Sequence, residues 1–342
     1  MGLRLPVVEG TEMAHHLITG GAGFLGSHLA QALLDRGDEV SVIDNLSGGW
    51  IENVPTGTIF WEADLVDCDF DWFFKVAKPP THIWHLAAYA AEGLSHWVRE
   101  HNVKNNWLAS TRLINAALKH GVERFTFTSS MAVYGNQDLP FIEAQRPQPE
   151  DPYGIAKFSV EQDLAAAGKV FDLPYVIFRP HNVYGPNQNI GDPYRNVVGI
   201  FMRKALQGDP ITIYGDGLQT RAFSHINDII DPMVASLDKY DVEGQTFNIG
   251  GEQVVTILEL AEKVQTLFPG ATIEHLPERY EVKHAFCDHF KAKLFLGFNP
   301  KIPFDTGLKQ MADWVRDTGV RWSVTPEVEV RRGLPSFWEQ YL

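Results

Sequence analysis

The sequence contains few cysteines and no long apolar run. Its two cysteines are Cys68 and Cys287, and neither stands in a spacing that is typical of metal sites. This low cysteine content fits a reducing compartment. No apolar run approaches the roughly 20 residues of a transmembrane helix, and the first fifteen residues lack the apolar stretch of a signal peptide. We therefore expect a soluble cytoplasmic protein that does not enter a membrane.

Positive charge is also scarce, because 29 lysines and arginines stand against 43 aspartates and glutamates. The resulting net charge of -14 argues against nucleic acids and anionic membrane surfaces as partners. It does not exclude a nucleotide, since local arginines and helix N-termini can bind a diphosphate within an acidic protein. The 13 histidines are scattered along the chain, so we expect no metal site.

Residues 16–44 have the pattern of a strand, a glycine-rich turn, a helix and a second strand. The turn contains Gly20, Gly23 and Gly26, which let the backbone approach a pyrophosphate, and the following helix N-terminus offers free N–H groups to it. The second apolar run ends in Asp44, whose carboxylate can bind ribose hydroxyls and would repel a 2′-phosphate. This pattern predicts a dinucleotide site that prefers NAD to NADP.

Tyr153 and Lys157 stand four residues apart in DPYGIAK, and Ser130 precedes them in FTFTSSMAVYG. Residues at this spacing lie one above the other on a helix face. The ammonium of Lys157 can lower the pKa of the Tyr153 phenol below its usual value of about 10. The hydroxyl of Ser130 can share the same substrate oxygen. This trio predicts a base that takes a proton from an alcohol while a hydride leaves the adjoining carbon.

Apolar runs alternate with helical patterns over the first half of the chain. We predict strands at 16–20, 39–43, 58–61, 82–86, 124–129 and 175–178. We predict helices near 24–36, 69–77, 101–120 and 153–171. Repeated strand–helix units indicate an α/β fold with a Rossmann-type doubly wound parallel sheet. After Arg179 the pattern is mixed and richer in glycine and proline, which indicates a smaller mixed α/β C-terminal part.

In order along the chain, these motifs resemble the extended short-chain dehydrogenase/reductase family, in its NAD-dependent sugar-nucleotide epimerase/dehydratase branch. Within that branch the chain is most similar to UDP-galactose and UDP-glucuronate 4-epimerases. The resemblance runs from about residue 16 to the C-terminus. Its landmarks are TGGAGFLG at 19–26, HLAA at 85–88, TSSMAVYG at 128–135, RPHNVYGP at 179–186, YGDGLQTR at 214–221 and FNIGG at 247–251.

The resemblance implies a two-part organisation. An NAD-binding domain would span 1–180, with 222–251 returning to it, and a substrate domain would comprise 181–221 and 252–342. Helices 101–120 and 153–171 would build a homodimer interface. The substrate would be a nucleotide sugar, with UDP as the expected nucleotide.

The resemblance also assigns roles by matched position. The catalytic residues would be Ser130, Tyr153 and Lys157. The cofactor residues would be Gly20, Gly23, Phe24, Leu25, Gly26, Asp44, Asn45, Asp64, Leu65, Leu86, Ala87, Ala88, Asn106, Ser129, Tyr153 and Lys157. The substrate residues would be Tyr89, Ser130, Asn182, Asn196, Tyr214, Arg221 and Arg279.

Three further features bear on the substrate. Arg221 would pair with the diphosphate, since a guanidinium binds phosphate oxygens bidentately. Arg279 lies one place later than the corresponding arginine of the family. Ala285 occupies a position that, in the epimerases it resembles, limits the space beside the sugar C2, and an alanine leaves room for an N-acetyl group. Glu92, His96 and Trp97 are further candidates for contacts with the sugar.

The residues after Ser130 bear on the reaction. In this superfamily, enzymes that dehydrate hexoses carry an Asp-Glu pair beside the hydroxyl residue, and those that decarboxylate a uronic acid carry a glutamate two places on. This chain has Met131 and Ala132 there, and neither can move a proton. The favoured activity is therefore 4-epimerisation with NAD. The alternatives are an NAD(P)H-dependent 4-keto-sugar reductase and a dehydratase with unusual acid and base groups. A dinucleotide-binding protein without catalysis would be expected to lack Tyr153 or Lys157.

Overall fold

Seven parallel strands form the central sheet in a computed structural model, which describes residues 13–278, 282–335 and 338. The strands follow in chain order as β1 (His15–Thr19), β2 (Glu39–Asp44), β3 (Ile59–Glu62), β4 (His82–His85), β5 (Arg124–Thr128), β6 (Tyr175–Pro180), β7 (Val183–Tyr184), β8 (Ile211–Tyr214), β9 (Thr220–Ala222), β10 (Ser224–His225), β11 (Gln245–Ile249), β12 (Val254–Thr256), β13 (Ile273–Leu276) and β14 (His284–Ala285). Across the sheet the order is 11-6-5-4-1-2-3. The predicted doubly wound parallel sheet is confirmed.

Helices cover both faces of this sheet, and further helices lie among the short strands that follow β6 in the chain. In chain order they are α1 (Phe24–Arg36), α2 (Phe70–Val76), α3 (Arg99–Val103), α4 (Ala109–His120), α5 (Pro152–Phe171), α6 (Val197–Gln207), α7 (Ile226–Ala235), α8 (Ile257–Leu267), α9 (Phe290–Leu296) and α10 (Phe304–Thr318). A π-helical segment, Lys104–Leu108, joins α3 to α4. No helix of the described residues is long and apolar enough to cross a membrane.

The inner strands of the sheet, such as β1 and β5, are buried along their whole length, as is typical of a parallel sheet with helices on both faces. One face packs on α2, α4 and α5 through residues such as Phe74, Leu113 and Leu164. The other face packs on α1 and α7 through residues such as Leu29 and Ile229. The seven-stranded sheet therefore separates two apolar layers, and its strand ends remain available for ligands.

The strand order reverses between β1 and β4, which are neighbours in the sheet. The chain first runs outward from β1 to β3 and then crosses back to β4. Ligands of open α/β sheets bind at such a switch point, outside the carboxyl ends of the strands. The topology thus places the glycine turn after β1 beside the HLAA segment after β4.

A second, smaller assembly packs against the carboxyl edge of the sheet. Strands β8 and β13 pair in parallel, and β9 lies between β12 and β14. Helices α6, α8 and α10 share an apolar cluster that includes Met202, Leu260 and Met311. Strand β11 adds to the large sheet beside β6. The exact domain boundaries remain a prediction.

Several histidines are fully buried among apolar side chains. Burial lowers the pKa of His85 to about 3, that of His181 to about 3 and that of His289 to about 4. The last two lie with their Nε2 atoms 3.0 Å apart. The Nδ1 atom of His181 lies 3.1 Å from the carbonyl of Ala222. When His181 donates from Nδ1 to that carbonyl, its Nε2 atom accepts a hydrogen bond from Nε2 of His289. Both imidazoles fit this contact as neutral rings.

The lowered pKa values of these histidines predict that the protein loses stability in acid at a higher pH than that at which its carboxylates are protonated. Between pH 6.5 and about 4 the unfolded chain takes up protons at these positions and the folded chain does not. The contribution of these histidines to the free energy of unfolding is therefore fully present above pH 6.5, and it is lost as the pH falls toward their lowered pKa values. Thermal melting from pH 7.5 to 4.5 should show a steady decrease in Tm. In the variant His85→Gln the decrease should be smaller, and an equal slope would contradict this explanation.

Candidate active site

A cleft of about 1550 Å³ lies between the carboxyl edge of the sheet and the smaller assembly. Pockets for one small ligand usually measure about 300–1,000 Å³, so this cleft has room for a dinucleotide and a second ligand. Among the residues that the structure describes, its lining includes every residue predicted to bind cofactor or substrate except Asn106. Those on the cleft are Gly20, Gly23, Phe24, Leu25, Gly26, Asp44, Asn45, Asp64, Leu65, Leu86, Ala87, Ala88, Tyr89, Ser129, Ser130, Tyr153, Lys157, Asn182, Asn196, Tyr214 and Arg221. Their individual roles remain predictions.

The glycine turn after β1 needs its glycines for space and for backbone conformation. Gly20 has a φ of 72°, and a Cβ there would lie 2.8 Å from the backbone of Ala87. A Cβ on Gly26 would lie 2.2 Å from the carbonyl oxygen of Gly20. The turn therefore packs tightly against both its own helix and the segment after β4. It leaves the N-terminus of α1 facing the cleft, where free N–H groups can bind a pyrophosphate.

Asp44 closes this side of the cleft at the end of β2. One carboxylate oxygen accepts a hydrogen bond from the Ala22 amide at 3.0 Å, and the other accepts from the Leu46 amide at 2.8 Å. The side chain is largely buried, and burial raises its pKa while these backbone donors lower it. Asp44 thus orders the glycine turn, and its carboxylate lies where a 2′-phosphate would be repelled.

The residues present fit an NAD molecule. The glycine turn provides a cradle that a Cβ would fill, and the N-terminus of α1 supplies the donors for a diphosphate. Close to Asp44, the carboxylate of Asp64 accepts hydrogen bonds from the Asn45 side chain at 2.8 Å and from the Val66 amide at 2.8 Å. This acidic corner provides acceptors for the amino group of an adenine ring.

Helix α5 carries the predicted catalytic pair. It begins at Pro152, and the Asp151 side chain caps it by accepting from the Gly154 amide at 2.9 Å. Tyr153 and Lys157 line the cleft from one face of the first turns. The Nζ atom of Lys157 donates to the carbonyl of Thr128 at 2.8 Å. The end of β5 thereby fixes the lysine beneath the tyrosine.

Ser130 lies opposite this pair, directly after β5. Its hydroxyl accepts a hydrogen bond from the Ala132 amide at 3.1 Å, which fixes the short turn Met131–Val133. The same hydroxyl is hydrogen-bonded to the phenol of Tyr153. The structure therefore brings the three predicted catalytic residues together from two separate elements.

The prediction that Lys157 lowers the pKa of Tyr153 is not met by the protein alone. Burial raises the pKa of Tyr153, and its hydrogen bond with Ser130 opposes this effect. Burial also lowers the pKa of Lys157 to about 7, because an ammonium loses its water shell in apolar surroundings. A lysine that is partly neutral does less to stabilise a phenolate. An oxidised nicotinamide ring is cationic, so NAD held in this cleft would supply positive charge that favours the phenolate.

A buried ion pair packs beside the predicted catalytic residues. Arg179 at the end of β6 pairs with Glu161 of α5, with Nε of the arginine 2.9 Å from Oε1 of the glutamate. Ser129 donates to the same Oε1 atom at 2.5 Å, and Tyr134 lies 2.8 Å from the Arg179 guanidinium. The network connects α5, β6 and the segment that carries Ser130. Sequence reasoning missed it, although Glu161 stands four residues after Lys157.

Asn106 lies behind the cleft wall rather than on it. Its side chain accepts from the Tyr89 amide at 2.8 Å and donates to the Tyr89 carbonyl at 3.0 Å. The π-helical segment directs the side chain inward, and such segments are frequent at functional sites. Asn106 thus holds the segment after β4, and the cofactor contact predicted for it stays a prediction.

The substrate residues predicted from the second half of the chain have different surroundings. Asn182 has a φ of 43° and donates to the Ala222 carbonyl at 3.1 Å. Asn196 caps α6 by accepting from the Val198 amide at 3.1 Å. Arg221 reaches across from β9 and donates to the Val282 carbonyl at 2.7 Å. Arg279 lies outside the described residues.

One charged group on the cleft to which the sequence analysis gave no role is Arg195. Arg195 stacks on the Tyr89 ring at 4.9 Å and pairs with the buried Asp192 at 2.9 Å. The charge of Arg195 acts to lower the pKa of Tyr153, whereas the charge of Glu92 acts to raise it. A loop arginine without a motif gives no signal in one sequence, because its position depends on how the loop folds.

Comparison with known proteins identifies relatives over most of the chain. The model of the NAD dependent epimerase/dehydratase family matches residues 16–250. A UDP-N-acetyl-alpha-D-glucosaminuronate decarboxylase of Bacillus cytotoxicus is 31% identical over 318 residues, which are 88% of this chain and 97% of that protein. A UDP-glucose 4-epimerase of Mycolicibacterium smegmatis is 32% identical over 313 residues, which are 88% of this chain and 98% of that protein.

Solved structures agree with these matches. The crystal structure of UDP-glucuronic acid 4-epimerase from Bacillus cereus, in complex with UDP-glucuronic acid and NAD, superposes with a TM-score of 0.81 at 30% sequence identity. That match covers 89% of this chain and 99% of the other.

Proposed function

This chain belongs to the NAD-dependent epimerase/dehydratase family, and we propose that it is a nucleotide-sugar 4-epimerase that acts on a UDP-hexose. It is an enzyme, and its cofactor is NAD. The relatives include both epimerases and decarboxylases, so membership alone leaves the reaction open. The observation that supports epimerisation is local. Met131 and Ala132 line the cleft beside Ser130, and neither side chain can exchange a proton.

In the proposed reaction, Tyr153 takes the proton of the C4 hydroxyl, and Ser130 holds that oxygen by a hydrogen bond. The C4 hydride passes to the bound NAD and later returns from it, which is the chemistry that this cofactor supplies. Lys157, anchored on Thr128, positions the phenol and can donate to the nicotinamide ribose. Between the two transfers the 4-keto sugar turns over and presents its other face.

The turning step needs an anchor remote from the reacting carbon. Arg221 and Asn182 lie on the cleft, where they can hold the diphosphate while the sugar stays free. Such remote binding energy lets the enzyme bind the intermediate without fixing one face of it. No net oxidation occurs, so NAD should remain bound through turnover.

The test is to incubate the purified protein, with no added cofactor, with UDP-glucose, UDP-glucuronate and UDP-N-acetylglucosamine. Products are identified by NMR. We expect a 4-epimer from at least one of them, together with NAD released when the protein is denatured. Loss of carbon dioxide from UDP-glucuronate would instead show a decarboxylase. NADH consumption with a 4-keto sugar nucleotide, without epimer formation, would show a reductase.

One observation keeps the dehydratase or decarboxylase alternative open. Glu92 lies on the cleft and acts electrostatically on Tyr153, so a carboxylate is present near the catalytic phenol. If Glu92 supplied an acid or base for such chemistry, its replacement by glutamine would abolish product formation. For an epimerase, we expect Glu92→Gln to retain most of the activity.

Ala285 supports a proposal about the sugar substituent. It is buried on β14, opposite Arg221 on β9, and lines the cleft near Phe141 and Cys287. We expect Ala285→Tyr to abolish activity on UDP-N-acetylglucosamine and to retain activity on UDP-glucose, because the added ring fills the space of the N-acetyl group. Steady-state kinetics on both substrates tests this. A wild-type enzyme active on UDP-glucose alone would already contradict it.

A homodimer is proposed from the surface of α3, α4 and α5. Apolar side chains that include Val103, Trp107, Leu108 and Ile155 are exposed there. Exposed apolar patches of this kind commonly mark a protein–protein contact. Sedimentation analysis should give twice the mass of the chain, and Trp107→Glu should give a monomer.

A further inference from the structure

The segment after α10 crosses the mouth of the cleft. We call residues 319–335 together with Trp338 the strap. It leaves the smaller assembly at the end of α10, whose residues Leu308 and Met311 belong to that assembly's core. It then contacts loops of the large sheet on its way. The strap therefore joins both sides of the cleft that it covers.

The first half of the strap is held by specific contacts with two loops. The guanidinium of Arg321 stacks on Trp50 at 4.5 Å and donates to Asn53 at 3.2 Å. Ser323 accepts a hydrogen bond from Asn189 at 2.8 Å. A Cβ on Gly191 would lie 2.1 Å from the Arg321 carbonyl oxygen, so the close approach of the strap requires a glycine at that position.

The second half of the strap docks on the segment after β4. The two carboxylate oxygens of Glu329 accept from the Glu100 and His101 amides at 2.7 Å each. The Glu329 amide donates to the Trp97 carbonyl at 2.8 Å, and the Trp97 indole donates to the Arg332 carbonyl at 3.2 Å. These bonds fix the strap as an ordered wall.

Each half of the strap presents one tryptophan to the cleft. Trp338 packs edge to face against Trp97 at 5.2 Å and against Tyr194 at 5.0 Å. It shares a cluster with Tyr89, so it belongs to the end of the cleft that holds Glu92 and the catalytic tyrosine. It forms an apolar wall there.

Trp322 lies at the other end. The residue is 60% exposed, and the guanidinium of Arg203 lies over its ring at 5.4 Å. Lys204 and Gln207 of α6 line the cleft beside it. Helix α6 starts next to Arg195 and Tyr89, and its 11 residues span about 16 Å at 1.5 Å per residue. That length matches the reach of a nucleotide sugar from its sugar to its base.

We propose that the strap determines substrate specificity at both ends of the cleft, with Trp322 stacking on the nucleotide base and Trp338 walling the sugar pocket. This inference rests on the proposed function, because it takes the second ligand to be a nucleotide sugar. A tryptophan with an open face can stack on a base. An apolar wall disfavours a charged substituent, since a carboxylate placed against it loses water without gaining a partner.

The experiment measures binding to the NAD-loaded protein by calorimetry, with UDP, UDP-glucose and UDP-glucuronate as ligands. We expect Trp322→Ala to weaken all three about tenfold, since base stacking on an aromatic ring is worth about that factor. We expect Trp338→Ala to leave UDP unchanged and to shift the ratio of the Kd values for the two sugars about tenfold toward UDP-glucuronate. Trp338→Phe, which retains an aromatic wall, should behave as the wild type.

Trp72→Ala is the matched control, because Trp72 is 56% exposed on α2 and lies off the cleft. The inference is overturned if Trp322→Ala binds UDP as tightly as the Trp72→Ala control. It is also overturned if Trp338→Ala weakens UDP as much as the sugar nucleotides, which would show that the strap acts only as a structural brace. The readout is binding, so a decarboxylase or reductase would refute the proposed reaction and leave this test valid.

Discussion

Replacing Tyr153 with phenylalanine is expected to lower kcat about a thousandfold, since a positioned acid–base group contributes roughly 10²–10⁴ in rate. The phenol of Tyr153 lies on the cleft and is hydrogen-bonded to Ser130. The Nζ atom of Lys157 lies 5.8 Å from the centre of its ring. The substitution removes one oxygen and keeps the ring, which is largely buried. Binding of NAD and of the sugar nucleotide should therefore persist.

The measurement is the rate of 4-epimer formation at saturating substrate, with the NAD content of each preparation determined after denaturation. Tyr175→Phe is the matched control, because Tyr175 stands at the start of β6 and away from the cleft. That control should retain the wild-type kcat. A Tyr153→Phe enzyme with more than a tenth of the activity would mean that another group accepts the proton, and Glu92 would be the first to examine.

Replacing Glu161 with glutamine is expected to lower the free energy of unfolding by about 3–5 kcal/mol, the usual cost of removing one partner of a buried ion pair. Glu161 and Arg179 are 3% and 4% exposed. The substitution leaves the guanidinium charge without its counter-charge in a site that excludes water. It also removes a carboxylate that accepts a hydrogen bond from Ser129, the neighbour of Ser130.

Urea unfolding followed by circular dichroism measures this loss. The exposed pair of Glu100 and Lys104 on the surface provides the control, and Glu100→Gln should change stability by less than about 1 kcal/mol. The double variant Glu161→Met with Arg179→Met should recover part of the loss, because it buries no unpaired charge. A Glu161→Gln protein as stable as the control would show that the ion pair contributes little.

The two predictions test residues that differ in how far the sequence could identify them. Tyr153 stands in a motif whose spacing places it on a helix face with Lys157, and the order of motifs along the chain indicated its role. Glu161 stands one helical turn further on, but nothing in the sequence shows that Arg179, on a later strand, lies against it. The helical periodicity of a sequence predicts which residues share one face of a helix. It does not predict which residues of other elements pack against that face.

Asn106 and Arg195 also show that the sequence alone does not place a side chain in a loop or a π-helical segment. Asn106 was given a role at the cofactor site, and Arg195 was given none. The sequence assigned Asn106 to the cofactor site, yet the π-helical segment directs its side chain to the backbone of Tyr89. The sequence gave no role to Arg195, yet the loop before α6 carries its guanidinium onto the same tyrosine. In both cases the local turn geometry, which depends on packing with other elements, decided where the side chain lies.

The amino-acid sequence by itself determined the order of strands and helices as far as β6, the glycine turn with Asp44, and the spacing of the predicted catalytic trio. These follow from hydrophobic periodicity and from short-range requirements for space and hydrogen bonding, which are complete within a few residues. The tertiary structure decided the environment of Lys157, the Glu161–Arg179 pair and the path of the strap over the cleft. Those features depend on contacts between residues far apart in the chain, and burial then sets their charge and their partners.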